Sequence, residues 1–559
     1  MNANNSPRVS ADTLQETAMP TPPSRAPEHL EQGDGPAGHS LAPLGSTHML
    51  SASPSEPALG PAEQLDLFPE HVEPAPRSLL PPRLTAQELV EESGHWLKLI
   101  QAPEVPLDEH RWITNETVDN FRFYYNRSYT EHKKASASEI IRTAIEWTGE
   151  GSILRDLEGR EIIDCLGGYG IYSAGIRHPK IVATVKAQLE RMPLSSQELL
   201  DPLRGALARL LGELAPGELQ YSFFINNGTD AVDGAMKLAR LYTGRTGFIS
   251  SIGGFHGKSL GALSCMGKSK FRQPFEPLLP EVYFVPFGDA DAVEEELWKA
   301  RTVGKDIAGI IMEPIQGENG AVVPPDDFWP RLRELSNQYG CLLIADEVQT
   351  GLGRTGKLFG VEHWNVEPDI MCLGKALGGG VMPLSAFMST PKIWQKLNDN
   401  PVLHTSTFGG NPLACAAGIA ALHVTLDEDL PGQAASKGVW LIEQLQQLQA
   451  EFPELVQEVR GRGLLIGLVM ATQELGWEFC TELYDLGVLV AGTLTNAKTI
   501  RYEPALNIPW ALLEKAVVAT RTALSHVREN NPGLPVLSRV PEASASRPRR
   551  VKRSPVMAG

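Results

Sequence analysis

Two residues 29 positions apart make the strongest chemical statement in this chain. Asp346 closes the apolar run Cys341 to Ala345, and Lys375 lies in Leu373-Gly374-Lys375-Ala376-Leu377-Gly378-Gly379-Gly380. A lysine amine can form a Schiff base with a carbonyl, and a carboxylate can keep a ring nitrogen protonated as an electron sink. A pyridine aldehyde cofactor requires both. Five apolar residues ahead of Asp346 place it poorly for a solvated role, and a buried aspartate needs a cation, which a pyridinium supplies. The alternative is a pair of surface carboxylates, Asp346 and Glu347, closing a strand. Lys375 alone would be one of 50 basic residues, most of them on the surface, but the glycines at 378 to 380 clear room beside it.

Further segments carry chemistry of the same kind. In Asn226-Asn227-Gly228-Thr229, between an apolar run and a helical pattern, Gly228 permits close approach of a phosphate to free backbone N–H groups, and Thr229 adds a hydroxyl. Asn-Gly is equally a turn, and Thr229 or Asp230 equally an ordinary cap. Phe255, in Phe255-His256-Gly257-Lys258, can stack on one face of a ring while Val348 presses the other. The plainer reading makes Phe255 core, His256 a structural histidine and Lys258 a surface charge. Gln349 can bond a ring hydroxyl. The segment His404 to Pro412, with Thr407 within it, suits an anion or a plain loop. Arg501 can grip a carboxylate as a bidentate fork, or pair with Glu503 on a surface. Gly461-Arg462-Gly463 precedes the apolar run Leu464 to Met470 instead of following one, which rules out a dinucleotide loop.

The elements that must position these residues alternate. Short apolar runs at Tyr221–Ile225, Gly247–Ser250, Val282–Val285, Ile307–Met312, Cys341–Ala345 and Ile370–Leu373 predict strands. Helical spacing over Asp230–Tyr242 and Phe328–Tyr339 separates some of them. Such strands indicate an α/β protein with a mostly parallel sheet covered on both faces, whose ligands collect at the strands' carboxyl ends.

Composition narrows the function classes. A chain of 559 residues has room for two or three packed units. A formal charge of −17 and a pI near 5.3 argue against a nucleic-acid surface and favour small-molecule partners. The six cysteines have no Cys-x-x-Cys pair and no metal-ligand spacing, which predicts a reduced, cytoplasmic protein without a zinc site. There is no run long enough for an integral membrane segment, and no signal peptide pattern. Residues 1–85 hold 15 of the 43 prolines and predict a disordered extension; residues 530–559 predict a disordered basic tail, most simply a solvated one.

Taken together, Asn227-Gly228-Thr229, Phe255-His256-Gly257, Glu313-Pro314-Ile315-Gln316-Gly317-Glu318, Asp346-Glu347-Val348-Gln349-Thr350-Gly351 with Gly353-Arg354-Thr355-Gly356, and Lys375 resemble the class III, ornithine aminotransferase-like, pyridoxal-phosphate aminotransferases. The resemblance runs from about residue 135 to 525, and within the family it points to bacterial putrescine aminotransferases. The sequence departs from the family pattern at Ile176, Asp230 and Asn319.

That resemblance implies a fold-type I pyridoxal 5'-phosphate transferase. Its large cofactor domain would span 191–415, and a smaller α+β domain would form from both ends of the ordered chain, 86–190 and 416–529. Lys375 would carry the Schiff base, Asp346 bind the ring nitrogen, Gln349 the ring oxygen, Gly228 and Thr229 the phosphate, and Phe255 and Val348 the ring faces. Thr407 would reach the phosphate in a neighbouring subunit, which makes a homodimer or higher homo-oligomer the functional unit. Glu318 would act as a gate on Arg501, releasing it for 2-oxoglutarate. The expected activity moves a terminal amino group from a putrescine-like diamine to 2-oxoglutarate in a ping-pong cycle. Amination of a larger or lipid-linked aldehyde, action on ornithine or acetylornithine, and a non-catalytic scaffold are the alternatives.

Overall fold

The computed structural model describes residues 83–126 and 144–536. The predicted N-terminal extension lies outside that range except for residues 83–85, and the predicted basic tail except for residues 530–536.

The described chain opens with two helices, α1 (Ala86–Gln101) and α2 (Leu107–Asn120). Thr85 starts α1 with a capping box, its hydroxyl accepting from the Glu88 N–H while the Glu88 carboxylate accepts from the Thr85 N–H. These helices share a small core of Leu99 and Ile113 with Leu157, flanked by Trp96, Trp112 and Trp147. Strands β1 (Glu146–Glu150), β2 (Ile153–Asp156) and β3 (Glu161–Asp164) follow as an antiparallel meander.

The central sheet contains seven strands: β4 (Tyr221–Ile225), β5 (Gly247–Ser251), β6 (Val282–Val285), β7 (Ile307–Met312), β8 (Leu342–Asp346), β9 (Ile370–Leu373) and β10 (Ser385–Ser389). Their spatial order is β4-β10-β9-β8-β7-β5-β6. All pairs among β5 to β9 are parallel, while β10 lies antiparallel between β4 and β9. Both faces are buried, as the near-continuous apolar runs require. Ile310, Met312, Leu343, Ala345, Met371 and Leu373 point into one core, and Ala308, Ile311, Ile344, Ile370 and Cys372 into the other. Helix α3 (Gly228–Thr243) covers one face with Ala231, Val232, Ala235, Leu238 and Ala239. Its small residues permit close approach: a Cβ on Gly234 would sit 2.3 Å from the Phe387 ring in β10. Helix α4 (Phe328–Tyr339) covers the other with Phe328, Trp329, Leu332 and Leu335, and stops at Gly340 in the left-handed region.

Beyond the sheet, β11 (Val456–Arg462) and β12 (Leu465–Met470) form a hairpin around Gly463, so that glycine segment is a turn between antiparallel strands. Strand β13 (Val488–Leu489) pairs in parallel with β3, so early and late parts of the chain share one sheet. Strands β14 (Ala491–Gly492) and β15 (Thr499–Tyr502) complete a second four-stranded sheet with β11 and β12. A separate core fills this part, including Leu441, Leu445, Ile466, Leu468, Phe479 and Ile500. Among the described residues no helix is long and apolar enough to cross a membrane, and no cluster of three His, Cys, Asp or Glu is placed to hold a metal.

Candidate active site

The predicted residues gather where the physics of a parallel sheet places a ligand, at the carboxyl ends of its strands. Strand β8 ends on Asp346 itself, one residue later than the apolar run suggested. Strand β9 ends at Leu373, and Gly374 delivers Lys375 immediately after it. Strand β4 feeds Asn227, whose extended backbone opens α3 at Gly228, so the first N–H groups of that helix face the same edge. No side-chain cap bond occupies Asn227.

Close approach explains the glycines. A Cβ on Gly228 would lie 2.8 Å from Val348 Cγ1, and one on Gly374 would lie 2.9 Å from Ser385 Oγ and 3.3 Å from Val348. Val348 therefore touches both the α3 turn and the lysine segment. Lys375 has φ +44, a left-handed conformation costly for a side chain with a Cβ and held here by its surroundings. Burial pushes its amine below the ordinary lysine range, opposed by the charges of Glu503 and Glu318.

Neither Asp346 nor Glu347 is a surface carboxylate. Asp346 is 4% exposed; its Oδ2 accepts from His256 Nδ1 at 2.7 Å and its Oδ1 from the Val348 N–H at 3.2 Å. Burial disfavours a charged His256, but the bond to Asp346 and the charges of Asp346 and Glu313 outweigh it and raise the imidazole above its ordinary value. Glu347 faces away, accepting from the Gly360 and Val361 N–H groups at 2.9 and 2.8 Å and from Thr350. It braces the loop that follows the strand. Phe255 is set in place by Glu313, whose Oε1 accepts the Phe255 N–H at 2.9 Å and whose Oε2 accepts the Gly317 N–H.

Thr229 Oγ1 lies 2.7 Å from Ser259 Oγ and accepts the Ser259 N–H at 3.1 Å, and Ser259 in turn donates to Asp233. Ser259 is a second hydroxyl at this turn that sequence reading missed; a serine in a loop gives no signal of its own. Lys258 is exposed, with Nζ 5.0 Å from the Phe271 ring centroid. Thr407 is exposed as well, and its carbonyl accepts from Gln197 Nε2 at 2.5 Å.

Near Lys375 stands a buried charged group. Glu318 Oε1 accepts from Arg501 Nη1 at 2.9 Å, and its Oε2 accepts the Leu494 N–H at 3.1 Å. Burial works against ionising Glu318, yet Arg501 and Lys375 hold its carboxyl below the usual range. Arg501 is fully buried, with its guanidinium carbon 5.3 Å from the Tyr169 ring centroid. The contact between Arg501 and Glu503 that stood as the alternative to a substrate grip exists, but deep inside and not on a surface: Glu503 is 0% exposed, with Oε2 3.2 Å from Arg501 Nε. Both Glu503 oxygens accept from Gln349 Nε2 at 2.9 Å. Gln349 thus faces a carboxylate that the sequence pattern did not assign. Arg354, also buried, braces the group through the Leu464 and Pro504 carbonyls.

Residues 135–524 match the family described as aminotransferase class-III. The chain belongs to that family. Solved structures agree. An ornithine aminotransferase from Toxoplasma gondii is 28% identical, covering 80% of this chain and 99% of its own, with a TM-score of 0.68. An amine transaminase from an uncultivated Pseudomonas species, solved in its PLP-bound form, is 31% identical over 70% of this chain and 97% of its own, with a TM-score of 0.65. An acetylornithine aminotransferase from Elizabethkingia anophelis is 30% identical over 74% of this chain and 99% of its own, with a TM-score of 0.62. This class III aminotransferase is therefore a pyridoxal-phosphate enzyme of fold type I. The residues present fit that cofactor: a desolvated lysine, a buried carboxylate to which no arginine or lysine among the described residues is bonded, and a glycine-cleared helix start converge on one strand edge.

Proposed function

We propose that this aminotransferase transfers a terminal amino group from a short diamine or similar ω-amine, putrescine-like in size, to 2-oxoglutarate. The observation that carries this reading is the buried Glu318–Arg501 pair beside Lys375. An arginine already matched by a carboxylate of its own chain leaves no unpaired charge when a donor without a carboxylate enters. Exchange of Glu318 for a substrate carboxylate then presents the same guanidinium to a keto acid.

Each protein group has a role in this reading. Lys375 would hold the cofactor covalently, Asp346 its ring nitrogen, Gln349 its ring oxygen, Gly228 and Thr229 its phosphate, with Phe255 and Val348 against the ring. Bound there, pyridoxal phosphate supplies a reactive aldehyde carbon and a ring that withdraws electrons from the substrate. Asp346, backed by His256, favours a proton on the facing nitrogen. Lys375 Nζ, its basicity lowered by burial, takes a proton from the donor carbon and returns it. Arg501 orients the keto acid by its distal carboxylate. Thr407 would serve the partner subunit of a homodimer. The ornithine and acetylornithine enzymes among the neighbours make those amines the competing donors.

An amino-donor screen tests the proposal: putrescine, cadaverine, ornithine and acetylornithine, each with 2-oxoglutarate or pyruvate. Turnover of a short diamine with 2-oxoglutarate is expected. No turnover of any short diamine refutes the donor assignment, and a preference for pyruvate refutes the role given to Arg501.

A further inference from the structure

Glu503 is a fully buried carboxylate that sequence reading left as a surface partner of Arg501. It is anchored from both ends of the chain: its N–H donates to the Cys165 carbonyl at 2.7 Å, just beyond β3, while its own position directly follows β15. Its side chain has no room to leave. Gly170 packs on it so closely that a Cβ there would lie 2.6 Å from Oε1, and the same Cβ would lie 3.5 Å from Lys375 Cδ. Gln349 holds both oxygens, Arg501 Nε stands 3.2 Å from Oε2, and Arg354 Nε stands 3.8 Å from Oε1.

Two carboxylates therefore share Arg501, and they differ in kind. Glu318 occupies the Nη1 end and is tied by only one further bond, to the Leu494 N–H. Glu503 occupies the Nε edge and is fixed. Counting formal charges, Arg354 and Arg501 balance Glu318 and Glu503. When Glu318 withdraws, the group keeps one net positive charge. Arg501 Nη2, buried and without a hydrogen-bond partner among the described residues, remains as a donor for what enters.

Resting on the proposed exchange of Glu318 for a substrate carboxylate, we propose that Glu503 is a specificity-determining residue: a permanent partner of Arg501 that limits the positive charge offered to substrates. It holds carboxylate affinity down and keeps the site compatible with cationic amines. Without it the opened site would carry two net positive charges, which would strengthen its hold on any carboxylate and repel a diamine.

Glutarate, a dicarboxylate with neither amine nor ketone, is a suitable probe, titrated against the cofactor-loaded enzyme through its absorbance. E503Q is expected to bind glutarate at least about tenfold more tightly than the wild type, while Glu503→Asp, which keeps the charge, binds it like the wild type. A residue with only a structural role would loosen binding when replaced. Glu503→Thr, smaller and neutral, gives the same reading should E503Q fail to fold. Glutarate binding to the wild type with no gain in the neutral variant overturns this role for Glu503 while leaving Arg501 as the carboxylate subsite. No binding to either protein overturns both.

Discussion

Replacing Arg501 by methionine isolates what the buried charge group contributes. The side chain is fully enclosed, and its loss leaves Glu318, 5% exposed, and Glu503, 0% exposed, without their shared cation. At separations of 2.9 and 3.2 Å each contact is close, but the ions' desolvation offsets most of the attraction, so summing two Coulomb energies would overstate the loss. Breaking a buried pair by removing one partner costs about 3–5 kcal/mol, because the other charge stays behind unpaired. Arg354, 3.8 Å from Glu503, and the Gln349 bond relieve part of that burden, which places Arg501→Met towards the lower end of that range. At roughly 2 °C per kcal/mol the melting temperature of the cofactor-loaded protein should fall by about 6–8 °C. The decisive comparison is the double variant Arg501→Met, Glu318→Gln, which removes the carboxylate left unpaired and leaves Glu503 facing Arg354. It should recover most of the loss, since neutral replacements of buried ion pairs are often well tolerated. Differential scanning fluorimetry with circular dichroism reads both. A shift under about 2 °C for Arg501→Met, or a double variant no more stable than the single one, would refute the claim that unpaired charge is what the arginine prevents.

Three other expectations follow from the same geometry. Borohydride reduction should fix the cofactor covalently to Lys375, and peptide mapping that finds the adduct on another lysine contradicts the assignment. Asp346→Ala should lower kcat at least about a hundredfold, while Lys258→Ala, at an exposed position, should change it little; equal effects would sink the electron-sink role. Burial pushes Asp164 up to about 6 and both Glu313 and Glu347 up to about 7. A carboxyl whose folded value exceeds its unfolded one binds its proton more tightly when folded. Its stabilisation is therefore complete below about pH 4 and is lost as pH rises through about 7. Melting temperature should decline between pH 5 and 8, and less so in Glu347→Gln; a rise across that window in the wild type would contradict the buried, protonated state.

Much of the architecture was legible because burial on both faces writes itself as apolar runs. Four strands, at 221–225, 282–285, 307–312 and 370–373, and the helix Phe328–Tyr339 have the bounds their residues suggest. Strand β10 was not visible. Ser385-Ala386-Phe387-Met388-Ser389 is short, and its antiparallel place between β4 and β9 depends on partners 160–168 and 13–19 residues away in sequence, which no local pattern encodes. The site divided along the same line. Asp346 and Lys375 could be read because a charged residue at the end of an apolar strand is locally anomalous. Glu503 could not, because Ile500-Arg501-Tyr502-Glu503-Pro504 looks the same whether its acid is solvated or enclosed. Only the packing of Gly170, Gln349 and Arg501 decides that.

This division has a consequence for how donor choice can change within the fold. Asp346 ends β8 and Lys375 follows the end of the adjacent β9, both locked by Val348, Gly228 and Gly374 at contacts that admit no added atom. Arg501 and Glu503 sit on and just after β15, in the other sheet system, where Arg501 stands opposite Gly467 and Ala491. The bonds from Gln349 to Glu503 and from Arg501 to Glu318 join the two. A substitution on the β15 side can therefore alter which charges a substrate meets without moving the lysine or the aspartate. The reverse does not hold: displacing Gln349 disturbs Glu503, and through it Arg501. Substitutions that change donor preference while preserving cofactor binding should accordingly concentrate at residues 499–503 and around Glu318, whereas those at 346–349 should damage both together.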